Sequence, residues 1–297
     1  MTYSIVARDA ATGELGVAVQ SHWFSVGTVV TWAEAGVGAV ATQSFAEPAY
    51  GPQGLALMKL GLSAPAALAA LVSADAEQSR RQVAMVDAQG RVAVHTGEGC
   101  IADAGHVIGD GVSAQANMMR SAQVWPAMLA AYERAEGLLC DRLMAALDAG
   151  EAAGGDVRGR QSAAMLIVPA SSSSQPWRDH VVDLRVDDHP DPLGELRRLV
   201  TVQRAYRRMD AAEERELAGD MDGSLAEYQA ARPLLQGNDE ATFWSAILLA
   251  DSGHVDEARS LFAGIVTREP GWAELVRRLP AAGLLRNGDA TVKLLLE

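Results

Sequence analysis

Tyr3-Ser-Ile-Val-Ala-Arg-Asp9 and Leu15-Gly-Val-Ala-Val-Gln-Ser21 are two runs rich in strand-forming residues, with Ala10-Ala-Thr-Gly-Glu14 between them. A short Gly-containing segment between two such runs is typical of a hairpin loop. These residues therefore predict that the protein starts directly in a sheet.

Similar runs predict further strands, and Leu and Ala at helical spacing predict helices between them. The predicted strands cover residues 27–32, 38–43, 82–86, 91–95, 106–116, 161–168 and 180–186. The predicted helices lie within residues 51–73 and at 124–135, 138–153 and 191–209. Within 51–73, Gly61 breaks the pattern, and Ser63 with Pro65 in the first turn predicts the start of a second helix. This order lacks the strict βαβ alternation of a parallel sheet. It favours an α+β fold in which two mainly antiparallel sheets pack face to face under helices, a four-layer αββα sandwich.

The last part of the chain is predicted to be a small all-α helical-repeat domain, residues 210–297, after a main domain at 1–209. Gly219 and Gly253 lie 34 positions apart, and the same offset superposes Tyr228 on Phe262; this is the tetratricopeptide period. Pro270 also stands where that repeat type expects proline. Because two repeats are below the usual minimum for stability, we expect the tail to dock on the main domain or on a second subunit. A homo-oligomer is therefore expected, and the tail offers a surface for a protein partner.

Composition limits the possible partners. The formal net charge is −13, and only two of the 25 basic residues are lysine, so we expect no nucleic-acid partner. The sequence has neither a charged leader followed by an apolar stretch nor a run of eighteen apolar residues, which predicts a cytoplasmic protein with no membrane contact. Cys100 and Cys140 are isolated, which argues against a zinc site or a disulfide scaffold.

Five segments in the same order give the chain a family resemblance: residues 2–9, 36–43, 115–117, 154–162 and 183–190. Together they resemble a bacterial family of unknown function classed with the N-terminal-nucleophile (Ntn) hydrolases. The resemblance covers about residues 1–200. It implies an Ntn-hydrolase-like domain and, as a function, hydrolysis of an amide bond in a small metabolite without a cofactor.

The Ntn mechanism implied by the resemblance needs a Thr, Ser or Cys as the first residue of the mature chain. Its side chain attacks an amide carbonyl, and its own α-amine, with a pKa near 8, acts as the base. Removal of Met1 before a small residue would leave Thr2 in that position. Ser4 competes, since it lies nearer the place where proteasome-like enzymes keep their nucleophile, but it requires cleavage after Tyr3. An ordinary hydroxyl in the first strand is the third interpretation, and the sequence leaves all three open.

Three further residues are candidates for the catalytic machinery. Asn117 could donate its amide to a tetrahedral oxyanion, although a turn-forming asparagine explains it as well. Asp156 and Arg158, two positions apart, could form an ion pair that orients the amine or binds a substrate carboxylate. A purely structural ion pair is equally compatible with that spacing.

Candidate substrate-binding residues lie at the predicted ends of strands. Ser21, His22 and Ser25 come just after the second strand, and Gln43 ends the fourth. The two lysines, Lys59 and Lys293, fall in a predicted helix and in the tail, so an arginine such as Arg8 or Arg158 would have to depress the pKa of a nucleophile.

An acidic cluster suggests a metal site at first sight: Asp183, Asp187, Asp188, His189 and Asp191. Strand alternation puts Asp183, Arg185 and Asp187 on one face, so ion pairing is the simpler interpretation, and we expect neither metal nor cofactor.

Three functions remain for this sequence. The first is an Ntn-type amide hydrolase acting on a small molecule. The second is a non-catalytic Ntn-like binding or scaffold protein that recruits a partner through its helical tail, and the third is a structural subunit of an oligomer.

Overall fold

The computed structural model describes residues 2–297, which form two compact units. The first unit ends at Val200 and the second comprises Thr201–Glu297. The boundary lies inside one helix, Pro192–Leu217, and the predicted boundary after residue 209 falls in the same helix.

Ten strands, all in the first unit, form two antiparallel sheets within residues 2–297. They are β1 (Thr2–Arg8), β2 (Leu15–Ser21), β3 (Thr31–Glu34), β4 (Gly38–Ser44), β5 (Arg81–Asp87), β6 (Val92–Thr96), β7 (Gly105–Gly109), β8 (Val112–Asn117), β9 (Ser162–Val168) and β10 (Val182–Val186). One sheet has six strands in the order β10-β9-β2-β1-β8-β7, and the other has four in the order β3-β4-β5-β6. The predicted opening hairpin is confirmed, and β1 lies in the interior of its sheet between β2 and β8.

The described residues also form eleven α-helices. They are α1 (Gly27–Val30), α2 (Tyr50–Lys59), α3 (Ala64–Ala74), α4 (Val124–Arg134), α5 (Leu139–Ala152), α6 (Pro192–Leu217), α7 (Met221–Ala231), α8 (Glu240–Asp251), α9 (Val255–Arg268), α10 (Gly271–Arg278) and α11 (Asp289–Leu296). As the sequence predicts, Ser63 caps α3 by accepting a hydrogen bond from the Ala66 N–H, with Pro65 in the first turn. No helix within residues 2–297 combines the length and the apolar character needed to cross a bilayer.

Three apolar cores hold the first unit together. Helices α4 and α5 pack on one face of the six-stranded sheet, around Tyr3, Met128 and Leu147. The opposite face packs on the four-stranded sheet, and helices α2 and α3 pack on that second sheet. The α+β class and the two antiparallel sheets are therefore confirmed.

Side chains alternate between the two faces of β1. Tyr3, Ile5 and Ala7 belong to the core under the helices, and Val6 belongs to the core between the sheets. Thr2 and Ser4 share the face of Val6, because side chains two positions apart lie on the same face of a strand. Both candidate nucleophiles therefore face the space between the sheets.

The predicted strand at 27–32 is wrong in its first half. Residues Gly27–Val30 form the helical turn α1, and only Thr31 and Trp32 belong to a strand. A Cβ at Gly27 would lie 2.5 Å from the Cβ of Ala164, so the chain approaches β9 closely at this point. Val26 and Val30 are both buried there, and this burial outweighs their strand propensity.

Two other boundaries differ from the prediction. The single strand predicted at 106–116 is a hairpin of β7 and β8, turning at Asp110-Gly111, where Gly111 has a φ of 66°. An Asp-Gly pair is a strong hairpin signal that should have divided this run. Helix α6 continues to Leu217, well past the predicted end at Met209.

The second unit contains two turns of the same construction. Gly219 follows α6 with a φ of 83°, and Gly253 follows α8 with a φ of 86°. The N–H of each glycine donates to the carbonyl three residues earlier, and the next N–H donates to the carbonyl five residues earlier. Tyr228 and Phe262, which the 34-residue offset superposes, are both buried.

Replacing Leu147 tests the core under the helices. Leu147 is fully buried in α5, so Leu147→Ala should lower the free energy of unfolding of the first unit by about 2–5 kcal/mol. Leu60 is 80% exposed after α2, and Leu60→Ala should change that free energy by less than about 0.5 kcal/mol. Urea denaturation followed by circular dichroism measures both, and equal effects would contradict this packing.

Candidate functional site

A pocket of about 580 Å³ opens where several strands of the two sheets end. Its lining comes from the start of β1, the segment through α1, the ends of β4 and β8, and the loops nearby. The lining residues are Thr2, Trp23, Val26, Val29, Val30, Gln43, Ser44, Phe45, Ala46, Arg81, Ile101, Asn117, Met118 and Arg158. Four of the nine predicted site residues are among them: Thr2, Gln43, Asn117 and Arg158.

Thr2 is held from two sides at the start of β1. Its Oγ1 lies 3.1 Å from the Oγ of Ser21, which is fully buried at the end of β2. Its carbonyl oxygen accepts from Gln43 Nε2 at 3.3 Å and from Asn117 Nδ2 at 3.4 Å. Thr2 is therefore a lining residue of the pocket that is itself only 4% exposed and is held in place by these bonds. Met1, whose removal the sequence analysis invokes, lies outside the described residues.

A fully buried glutamine, Gln82 on β5, joins the side chains that hold Thr2. Its Oε1 accepts from Gln43 Nε2 at 2.8 Å and from Asn117 Nδ2 at 2.9 Å. Its own Nε2 donates to the Ala116 carbonyl at 2.9 Å and to Thr96 Oγ1 at 3.0 Å. Because Gln82 belongs to the four-stranded sheet and Asn117 to the six-stranded one, these amides connect the two sheets behind Thr2.

Ser4, the other candidate nucleophile, is not among the residues that line the pocket. It is fully buried, its Oγ donates to Gln43 Oε1 at 2.7 Å, and it accepts from Gln115 Nε2 at 2.7 Å. Cleavage after Tyr3 would also remove two residues that pair with β2 or β8. Ser4 therefore supports Gln43 from within the space between the sheets.

Asp156 and Arg158 form the ion pair that their spacing suggests. Asp156 is 2% exposed, and its Oδ2 accepts from Arg158 Nη2 at 3.1 Å while its Oδ1 accepts from Nε at 3.3 Å. The His22 backbone N–H also donates to Asp156 Oδ2, at 3.2 Å. Arg158 lines the pocket, and the aspartate holds its guanidinium from behind.

His22 and Ser25 are not among the lining residues. His22 contributes its backbone N–H to Asp156, and the Ser25 hydroxyl donates to Asp187 Oδ1 at 2.6 Å. The prediction that these two side chains bind substrate has no support from their position.

The acidic cluster, which begins at Asp183 in β10, makes ion pairs with neighbouring arginines. Arg185 Nε lies 3.8 Å from Asp183 Oδ1, and Asp191 Oδ1 accepts from Arg160 at 3.2 Å. Nowhere in residues 2–297 do three His, Cys, Asp or Glu side chains come together as a metal site would require.

The apolar wall of the pocket and one of its arginines were not predicted from the sequence. Val29 and Val30 belong to α1, whose helical form was not predicted, Val26 directly precedes it, and Arg81 starts β5. No local motif marks these positions, since they meet only in the folded chain.

Three non-glycine residues near the pocket have left-handed backbone conformations. Ser44 and Met118 line the pocket with φ of 73° and 59°, and Ser25 has a φ of 52° beside the lining residue Val26. Such conformations cost free energy and cluster at functional sites, so they add weight to this pocket as the site.

Comparisons with known proteins give a family but no activity. The model of a family of unknown function, DUF1028, matches residues 2–196. A crystal structure of protein SPO2555 from Silicibacter pomeroyi, described with the same family, is 32% identical in sequence and has a TM-score of 0.61. The match covers 67% of this chain and 84% of that one. No curated protein matches.

Replacing Gln82 tests the amide network behind Thr2. Gln82→Leu leaves the buried donors of Gln43 and Asn117 without their shared acceptor, and each such loss costs about 1–3 kcal/mol. We therefore expect a fall in the free energy of unfolding of more than about 2 kcal/mol. Gln53→Leu, on the exposed face of α2, is the matched control. Urea denaturation gives both values, and a Gln82→Leu protein as stable as the control would contradict the network.

Proposed function

We propose that this chain, which belongs to the family of unknown function DUF1028, is an amide-bond hydrolase of the Ntn type that acts on a small molecule. The observation that carries the proposal is the position of Thr2. Thr2 lines the pocket, its hydroxyl lies 3.1 Å from the Ser21 Oγ, and cleavage of the bond between Met1 and Thr2 would place a free α-amine beside that hydroxyl.

The arrangement supports Thr2 as nucleophile over Ser4. Thr2 borders the pocket, whereas the hydroxyl of Ser4 is bonded to Gln43 and Gln115 in the interior. The bonds from Gln43 and Asn117 to the Thr2 carbonyl fix the backbone of the nucleophile. A nucleophile held in this way does not have to be ordered again at each turnover.

The proposed reaction has two steps. In the first, Thr2 Oγ1 bonds to the substrate carbonyl carbon, its proton passes to the α-amine of Thr2, and the C–N bond breaks as the leaving amine takes that proton. In the second, water attacks the resulting ester and restores the hydroxyl, while the carboxylic acid leaves. The α-amine, with an ordinary pKa near 8, serves as the base in both steps.

Asn117 and the Asp156–Arg158 pair have supporting roles in this proposal. Asn117 Nδ2 donates to Gln82 Oε1 at 2.9 Å and makes a longer bond of 3.4 Å to the Thr2 carbonyl. In the tetrahedral intermediate this longer bond would be exchanged for one to the oxyanion, where one donor is worth about 2.7–4 kcal/mol, while Gln43 still binds the Thr2 carbonyl. The Arg158 guanidinium supplies positive charge at the same wall.

We also infer the finer features of the fold that the resemblance implies. The packing of helices on a six-stranded sheet, and of that sheet on a four-stranded sheet with its own helices, supports the four-layer αββα sandwich of Ntn hydrolases. The two equivalent turns at Gly219 and Gly253 support a tetratricopeptide-like tail. Those turns favour, as a second function, recruitment of a protein partner by the tail, with or without catalysis in the first unit.

Thr2→Ala tests the hydrolase proposal. Wild-type protein is screened with small amides, lactams and ureido compounds, and turnover of any that react should fall by about 10³-fold or more in Thr2→Ala. The reason is that the variant keeps the pocket and loses the attacking oxygen. Turnover is followed by chromatography of the released amine or acid.

Two variants serve as controls. Thr12→Ala, at an exposed hydroxyl in the β1–β2 loop, should keep full hydrolysis. Ser4→Ala removes a buried support of Gln43 but keeps the attacking oxygen of Thr2, so it should retain part of the hydrolysis. Wild-type rates in Thr2→Ala, or loss of turnover in Ser4→Ala alone, would refute Thr2 as the nucleophile.

A further inference from the structure

Arg81, at the start of β5, is held rigidly at the edge of the pocket. Its Nε donates to Asp75 Oδ2 at 2.8 Å, and its Nη1 donates to the Phe45 carbonyl at 2.6 Å. The Tyr50 hydroxyl donates to the same Asp75 oxygen at 3.0 Å. Within residues 2–297, the remaining nitrogen, Nη2, has no protein acceptor.

The ion pair keeps both partners charged. The hydrogen bond from Arg81 holds the pKa of Asp75 below its usual value, and the same bond raises the pKa of Arg81. The Arg81 side chain is only 15% exposed, so its guanidinium is partly shielded from water. A partly desolvated arginine with a donor to spare is a strong site for a carboxylate.

The charged side chains that line the pocket are all positive. Arg81 and Arg158 are the charged residues among its described lining, although the chain as a whole carries a net charge of −13. Their partners, Asp75 and Asp156, lie behind the guanidinium groups and outside the lining. The pocket therefore attracts an anion in a protein that otherwise repels anions.

One wall of the pocket is apolar. Val29 and Val30 of α1 line it together with Val26, which directly precedes that helix, while Trp23, Phe45 and Ile101 are 59%, 40% and 44% exposed. Large apolar side chains so exposed lose free energy unless a ligand covers them. A volume of about 580 Å³ lies within the range of about 300–1,000 Å³ that is usual for small-molecule sites.

We infer that the ligand of this pocket is a small amide with one free carboxylate and one apolar group, as in an N-acylated amino acid, and that Arg81 binds the carboxylate. As a statement about substrate, this rests on the proposed function, because it places the amide beside Thr2. As a statement about binding, it depends only on Arg81 and the apolar wall.

A binding experiment separates the two statements. Full-length Thr2→Ala protein is titrated by calorimetry with N-acetylphenylalanine and with its neutral analogue, N-acetylphenylalaninamide. The two ligands differ only in the carboxylate, so the acid should bind at least about tenfold more tightly. Adding Arg81→Gln should abolish that difference.

Three further variants control for indirect effects. Adding Arg81→Lys should keep part of the preference for the acid, because it keeps the positive charge. The double change Arg81→Gln and Asp75→Asn removes both charges of the pair. The preference for the acid should be lost here too, although no unpaired carboxylate is left to repel the acid. Arg197→Gln removes a more exposed arginine, 51% against 15%, that lies outside the pocket lining and pairs with Asp148 on α5; it should keep the full preference.

The outcomes decide both claims separately. Equal binding of acid and amide, no binding of either, or a preference that survives Arg81→Gln would overturn the inference. Binding with the expected preference, but no hydrolysis of any N-acylated amino acid or other amide by wild-type protein, would refute the hydrolase and leave the binding site intact. Hydrolysis of neutral amides, with no tighter binding of the acid, would support the hydrolase and overturn Arg81 as the carboxylate site.

Discussion

The bonds that Gln82 makes to Gln43 and Asn117 are the constraint on which the site depends. Three fully or almost fully buried amides leave the two sheets little freedom to slide, because a shift would leave several donors and acceptors unpaired in the interior. Gln43 and Asn117 also bind the carbonyl of Thr2 and form the polar floor of the pocket. Sheet packing and the position of the proposed nucleophile are thus set by one network.

The pocket combines this polar floor with an apolar wall and two arginines, and each part suits a different chemical group of a ligand. The amides and Thr2 suit a carbonyl group, α1 and Trp23 suit an apolar group, and Arg81 suits an anion. In the proposed hydrolase these parts would bind three groups of one small molecule. The proposal needs neither metal nor cofactor, since one residue would supply both nucleophile and base.

Sequence reasoning predicted the features that depend on local patterns. The opening hairpin and the capped start of α3 at Ser63 follow from residue type and spacing. It failed where distant contacts decide, as at residues 27–32, where close approach to β9 and burial of valines produce a helical turn. Choosing between Thr2 and Ser4, which lie on the same strand, requires knowing which of them borders the pocket. Arg81 was not predicted because only the fold brings it to the pocket.

The central claim is that Thr2 carries a free α-amine at the wall of this pocket. Intact-mass spectrometry of the purified full-length protein, with N-terminal sequencing, measures this directly. The account predicts that Thr2 is the first residue in essentially all molecules and that its amine is unmodified. A protein that keeps Met1, and has no cut before Thr2, would contradict the proposed mechanism.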